Sequence, residues 1–318
     1  MSAANIITIS IIIATRNREA ILWETISKAV CAIENKPAEI IVVNDGEAAL
    51  NIPTIFLDKI TCLDNPGLGV TTARNFGAAN ASGNTLFFVD DDMWINEAVI
   101  NWILVHFKDR QNAACVYNIN WEYPAGLMGM LSQTMIGRYL LSSNYNTMWG
   151  RMHQPGAQPA NGLYPFDKIA SCSLVMHIDI FEKLGGYNEA MIFQGEDIDL
   201  SNKLNRLAIP IYAVFDTTLY HNHQDRLTIE HYLKRENSGY QSEFNAVKAN
   251  LIQTTGTEIY GGTFKPFFEF FRVSEKYWIS LLKHLPNRTF FNPVNNKLIG
   301  ILAGLQRYKQ WRSIIKNN

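Results

Sequence analysis

The chain has 318 residues, a formal net charge of −1, and 47% apolar against 18% charged residues. These proportions exclude wholesale disorder and allow one large domain or two modest ones. The cysteines Cys31, Cys62, Cys115 and Cys172 stand singly, which excludes a dense disulfide framework and suits reduced thiols in a cytoplasm.

In chain order, the apolar run 6–14 lacks a basic leader and a small-residue cleavage site, so it is expected to form a first core strand rather than a signal peptide. Residues 19–33 set Leu22, Trp23, Ile26, Ala29, Val30 and Ile33 at helical spacing. A short strand at 39–43 ends in the turn signal Asn44-Asp45-Gly46, and Thr54–Leu57 reads as another strand. Pro66-Gly67-Leu68-Gly69 opens a small-residue helix through Ala79. A strand at 85–89, a helix at 96–107 capped by Asn96 and a strand at 113–119 complete the first part. This alternation predicts an α/β fold with a mostly parallel sheet flanked by helices, whose ligands bind outside the carboxyl ends of the strands.

Residues 120–168, with five methionines and no clean period, read as an irregular segment with helical pieces that covers a pocket. Beyond it come strands at 169–176, 209–214 and 217–220, a helix at 196–207 and a long helix at 228–250. No apolar segment reaches the roughly 18–20 residues that cross a bilayer.

Two acidic clusters carry the chemistry. Asp90-Asp91-Asp92 follow the apolar run Thr85–Val89, as a buried strand emerging at a sheet's rim would. Adjacent carboxylates in a dry cleft resist ionisation unless positive charge sits among them, and a divalent cation with oxygen ligands is the usual remedy. Taken alone, such a triplet is more often a solvated acidic loop. The second cluster, Glu196-Asp197-Ile198-Asp199, follows Gly195 at a helix start, where acids also simply favour the helix dipole. His221 and His223, two apart on an extended segment, project the same way, as metal ligands or as ordinary surface imidazoles.

Five pieces in order resemble family 2 glycosyltransferases of the GT-A fold: Ser10–Arg18 with Val42–Gly46; Asn65–Gly69 leading into Ala73–Gly77; Phe88–Asp92; Leu184–Glu189; and Gly195–Leu200. The resemblance spans about residues 8–225; Asn44 departs from it where many members carry a second Asp. It implies a GT-A catalytic domain over 1–225, with a nucleotide-sugar half to 119 and an acceptor half from 120, followed by a helical, basic and aromatic region over 226–318.

The resemblance also implies an inverting transfer of sugar from a nucleotide diphosphate sugar to a glycan or lipid-linked acceptor hydroxyl, with Mn²⁺ or Mg²⁺. Asp92 is then the main metal ligand, joined by His221 or His223, and Asp90 or Asp91 contacts ribose or metal. Asp45 accepts from the base, with Thr15 and Arg16 on the same loop. Arg74 approaches the nucleotide or forms an internal salt bridge. Asp197, with Glu196 second, is the general base. The competing reading is a catalytically inactive sugar- or nucleotide-binding scaffold of the same fold.

Charge is uneven: residues 265–318 hold ten Lys/Arg against two Asp/Glu, while 1–264 hold eighteen against twenty-seven. Leu298, Ile301, Leu302, Leu305, Tyr308 and Ile315 fall near one helical face of that tail. It is expected either to lie on anionic lipid, peripheral on the inner face of the membrane, or to be a packed helical appendage. The acidic body argues against a nucleic-acid partner.

Overall fold

The computed structural model describes residues 8–152, 154, 156–192, 195–224, 228–248, 260, 264–284 and 289–316. The chain divides into two compact units: one of residues 1–123, 147–192 and 196–222, the other of 124–146, 193–195 and 223–318.

The first unit is built on a sheet of nine strands: β1 (Ile9–Thr15), β2 (Ala38–Asn44), β3 (Thr61–Asp64), β4 (Thr85–Asp90), β5 (Met93–Trp94), β6 (Val116–Glu122), β7 (Leu163–Phe166), β8 (Ser173–His177) and β9 (Ile211–His221). The order is β3-β2-β1-β4-β8-β6-β9-β5, with β7 also paired to β9. Neighbours β3, β2, β1 and β4 are parallel, as are β6 and β9, while β8 runs antiparallel to both β4 and β6. Strands β1, β2, β3, β4, β6 and β9 therefore all point one way. The mostly parallel sheet expected from the alternating elements is present.

The β1 and β4 runs of Ile and Phe are fully buried because helices cover the sheet. Ile12, Leu86 and Phe88 pack with Phe181 and Leu184 around α7 (Ile178–Lys183) and with Leu200 and Leu204 of α8 (Glu196–Arg206). Ile41 and Val43 pack on Ala73 of α2 (Val70–Ala79). Helices α1 (Glu19–Ala32) and α3 (Glu97–His106) complete the layers; Asn96 caps α3, its side chain accepting from Val99 N.

Several expectations are corrected. Thr54–Phe56 forms a turn of 3-10 helix after Pro53, and the strand beside β2 is instead β3, at Thr61–Asp64. The two strands expected at 209–214 and 217–220 are one strand, β9, whose pairing with β6 shifts register between Ile119 and Asn120. The run 169–176 becomes a strand only from Ser173, which leaves Ser171 and Cys172 before the strand. The segment 120–168 is more regular than its composition suggests: β6 extends to Glu122, followed by α4 (Ala125–Gln133), α5 (Met135–Ser142), α6 (Met148–Arg151) and β7.

The second unit is helical: α4 and α5 with α9 (Ile229–Lys248), α10 (Lys265–His284) and α11 (Asn292–Lys316). The apolar face of α11 is covered within this unit, with Leu298, Ile299, Leu302, Leu305 and Tyr308 buried where α11 meets α5, α9 and α10. Five of the tail's basic residues pair with acids of the same unit: Arg272 and Arg312 with Glu269, Lys283 with Glu230, Arg307 with Glu243, and Lys309 with Glu275. The α11 face expected to rest on lipid is thus occupied by protein. Among the described residues no helix is long and apolar enough to cross a membrane.

Candidate functional site

Sheet register determines which residues can meet. Thr15 pairs with Asn44 and Ala14 with Asp90, so β1, β2 and β4 end level. The antiparallel β8 begins there, its Ser173 opposite Val89, and β9 ends there at His221, opposite Met93 of β5. One rim therefore gathers Thr15, Asp45, Asp90–Asp92, Ser171, Cys172 and His221.

Two acids of the first cluster are sunk into this rim, Asp91 buried and Asp92 fully so, while Asp90 stays partly exposed. Thr15 Oγ1 donates to Asp91 Oδ2 at 2.7 Å. The Arg18 guanidinium donates through Nη1 to Asp91 Oδ1 and through Nη2 to Asp92 Oδ2, the latter at 2.9 Å. Burial pushes the Asp91 carboxyl up to about 7 against the pull of Arg18, with Asp92 and Asp90 raising it further.

His221 Nε2 lies 3.1 Å from Asp92 Oδ1. Burial holds this imidazole below its ordinary range although Asp92 opposes the shift. The backbone locks the pair, Asn222 N donating to Asp92 O at 2.7 Å. Asp92, His221 and His223, all buried, offer ligand atoms within 4.8 Å of one another. One carboxylate with two imidazoles is a donor set that Mn²⁺ accepts more readily than Mg²⁺, which prefers oxygen.

Asp45 is tied into the loop that opens α2. Its Oδ1 accepts from Gly69 N at 2.8 Å and Asn65 Nδ2 at 2.7 Å, and its Oδ2 lies 3.6 Å from Arg16 Nη1. Gly69 holds φ +95°, and a Cβ there would stand 2.5 Å from Ile192 O, so this approach requires glycine.

Arg74 joins the two acidic clusters. Buried on α2, it donates through Nη2 to Asp90 Oδ1 at 2.9 Å and through Nη1 to Glu196 Oε1 at 3.1 Å, and lies 5.4 Å from the Tyr187 ring centroid. Beside it, Asp197 Oδ1 accepts from Ser171 N at 3.1 Å and from Ser171 Oγ, whose oxygen in turn accepts from Tyr187 OH at 2.9 Å. Burial first, then the neighbouring Glu196, pushes the Asp197 carboxyl up to about 7, against Arg74 and Ser171. That places a carboxylate in the range where it can take up a proton near neutrality.

Arg18, Ser171, Tyr187, Cys172 and Arg151 had no role readable from sequence. Burial raises the Cys172 thiol, and Asp90 and Asp197 raise it further. Arg151 on α6 lies 5.8 Å from the Trp121 ring centroid, and that ring meets His221 edge-on at 4.8 Å. Only Arg18 carried a local signal, as a cation on the loop after β1.

The sequence model described as Glycosyl transferase family 2 matches residues 10–172. Glycosyltransferase GlyA of Streptococcus pneumoniae serotype 4 is 34% identical over 88 residues, 26% of this chain. The chain spans only 13% of GlyA's length. The mannosyltransferase PcManGT from Pyrobaculum calidifontis, solved with GDP-Man and Mn²⁺, superposes with a TM-score of 0.53 at 12% identity, covering 94% of this chain and 86% of that one. At that identity the likeness concerns the fold.

Proposed function

This chain belongs to glycosyl transferase family 2 and has the GT-A fold, and from that premise we propose that it is an inverting glycosyltransferase using a nucleotide diphosphate sugar. The observation that carries the reading is the meeting of Asp90–Asp92 and Glu196–Asp197 at one sheet rim through Arg74.

In this reading Asp197 is the general base. Its Oδ1 is held by Ser171, which leaves Oδ2 to take the acceptor hydroxyl's proton as the new glycosidic bond forms on the face opposite the leaving diphosphate. Glu196 is held by Arg74 and is the second choice. Thr15, Arg16 and Asp45 border the nucleotide, Asp45 receiving the base, and Asp90 and Asp91 face ribose or diphosphate. Asp92, His221 and His223 would hold Mn²⁺ or Mg²⁺. When bound, that ion supplies Lewis-acid neutralisation of the departing diphosphate. The Mn²⁺ in the PcManGT complex supports this assignment.

The acceptor belongs to cell-surface glycan or glycolipid assembly in this proposal, with the protein cytoplasmic and peripheral on the membrane's inner face. The surface offered for membrane contact is on α10, where Phe267, Phe270, Val273 and Tyr277 are exposed at helical spacing.

The test is a thermal-shift screen of nucleoside diphosphates with and without Mn²⁺, followed by transfer from the matching nucleotide sugar. A bound diphosphate at about 100 times its Kd raises stability by about 2.7 kcal/mol. Stabilisation that needs Mn²⁺ and disappears in Asp92→Asn is expected. Binding without transfer to any glycan or lipid-linked acceptor would favour the scaffold reading instead.

A further inference from the structure

Asp92 divides its two oxygens between partners of different kinds. Oδ1 faces His221 at 3.1 Å, within the candidate metal triad, while Oδ2 accepts from Arg18 Nη2 at 2.9 Å. The other arm of the same guanidinium reaches Asp91, whose second oxygen is held by Thr15. The positive charge that three adjacent carboxylates demand is therefore supplied, at this end of the cluster, by the protein itself.

Arg18 is placed to do this and to leave. It is the N-cap residue of α1 and makes no side-chain cap bond to the helix. Its side chain retains 18% exposure, whereas the Asp92 side chain has none. A divalent ion brought to Asp92 with the guanidinium still in place would set two cations against the two oxygens of one buried carboxylate. In a poorly solvated pocket their repulsion is strong, so they compete for Asp92.

We propose that Arg18 is a built-in counter-ion that occupies Asp92 and holds off the divalent cation until an anionic diphosphate draws the guanidinium outward. This rests on the metal assignment above and adds a coupling to it. A diphosphate that took up Arg18 would free Asp92, which with His221 and His223 would then be open to hold the divalent ion. Because coupling is reciprocal, the cation in turn strengthens diphosphate binding.

The probes are Mn²⁺ alone and inorganic pyrophosphate, with Mn²⁺ binding read from the electron paramagnetic resonance signal of the free ion. Without pyrophosphate, Arg18→Met is expected to bind Mn²⁺ at least about tenfold more tightly than wild type, and pyrophosphate, corrected by a protein-free control for its own Mn²⁺ complex, to strengthen Mn²⁺ binding in wild type by a factor that the variant largely loses. Asp92→Asn abolishes the site in either background and identifies it. Should Arg18→Met fold only when Mn²⁺ is present, by circular dichroism, the exchange is supported directly. If it fails to fold even with Mn²⁺, Arg18→Gln, which removes the charge but keeps a hydrogen-bond donor, carries the comparison, with tighter binding than wild type expected. Equal Mn²⁺ affinity in wild type and variant overturns the exchange while leaving the metal site intact. No binding in any protein overturns both.

Discussion

Arg74 Nη1 stands 3.1 Å from Glu196 Oε1, a contact between residues 122 positions apart. The same guanidinium reaches Asp90 at 2.9 Å and faces the Tyr187 ring. Burial opposes its positive form, but Tyr187, Asp90, Glu196 and Asp197 outweigh burial and hold the guanidinium above its ordinary range. One buried cation thus serves acids from two separate chain segments, and the carboxylates of each cluster are oriented through it.

Removing that cation leaves Asp90 and Glu196 facing one another without compensation. Arg74→Met is expected to destabilise the protein by about 3–5 kcal/mol, the range for breaking a buried pair on one side. Arg74→Lys retains the charge but not the fork, and is expected to lose less. Urea denaturation followed by far-UV circular dichroism measures both; a loss in Arg74→Met within the range of an ordinary surface substitution would mean that the acids do not depend on Arg74.

Asp197→Asn separates binding from chemistry. Asparagine keeps the shape and can still accept from Ser171 through its carbonyl, but takes no proton. Transfer is expected to fall by ~10²–10⁴-fold while the affinity for the nucleotide diphosphate, measured by calorimetry, stays within about threefold. Comparable turnover in the variant would move the base to Glu196 or to another group.

The pH dependence follows from the same carboxyl. With Asp197 pushed up to about 7, the base form populates as pH rises through 7, so kcat/KM is expected to show an acidic limb there. Ser171→Ala removes the hydroxyl bond that lowers this pKa, so the limb should move to higher pH. Stability changes in the opposite sense. An acid whose folded pKa is raised contributes stability below its unfolded pKa, near 4, which is lost as pH climbs through the folded value. Asp197→Asn should therefore gain on wild type above pH 7, by on the order of a few kcal/mol at most. Denaturation midpoints at pH 5 and pH 8 give the comparison.

What was legible in the sequence was local. Thr85–Val89 followed by three aspartates marks a strand emerging at a rim because burial and charge change within one residue, and Asn96 caps α3 by the chemistry its position implies. Partners were not legible. Nothing near Arg18 in sequence points to Asp91, 73 residues away, nor does anything near Ser171 reveal that its hydroxyl holds Asp197. Thr54–Leu57 has strand composition, but only tertiary pairing decides, and β2 pairs with Thr61–Asp64. The apolar face of α11 was readable as a face; that α5 and α9, far away in the chain, join the neighbouring α10 in covering it was not.

Gly77 gives a prediction about the scaffold under the site. It lies on α2, one turn beyond Arg74, where the helix crosses β1 and β2. A Cβ at this position would stand 2.5 Å from Ile12 Cγ2 and 3.2 Å from Val43 Cγ2. Both of those residues are fully buried strand positions in the core, so neither side chain can move aside without displacing others. Gly77→Ala improves local helix propensity by roughly 1 kcal/mol, yet it forces α2 away from the sheet, and overpacking of this kind costs about 1–3 kcal/mol. A net loss of stability is expected in urea denaturation. Arg74, carried on the same helix, should shift as well, so transfer activity should fall by more than the stability loss alone accounts for. A variant as stable and as active as wild type would show that α2 has slack against β1.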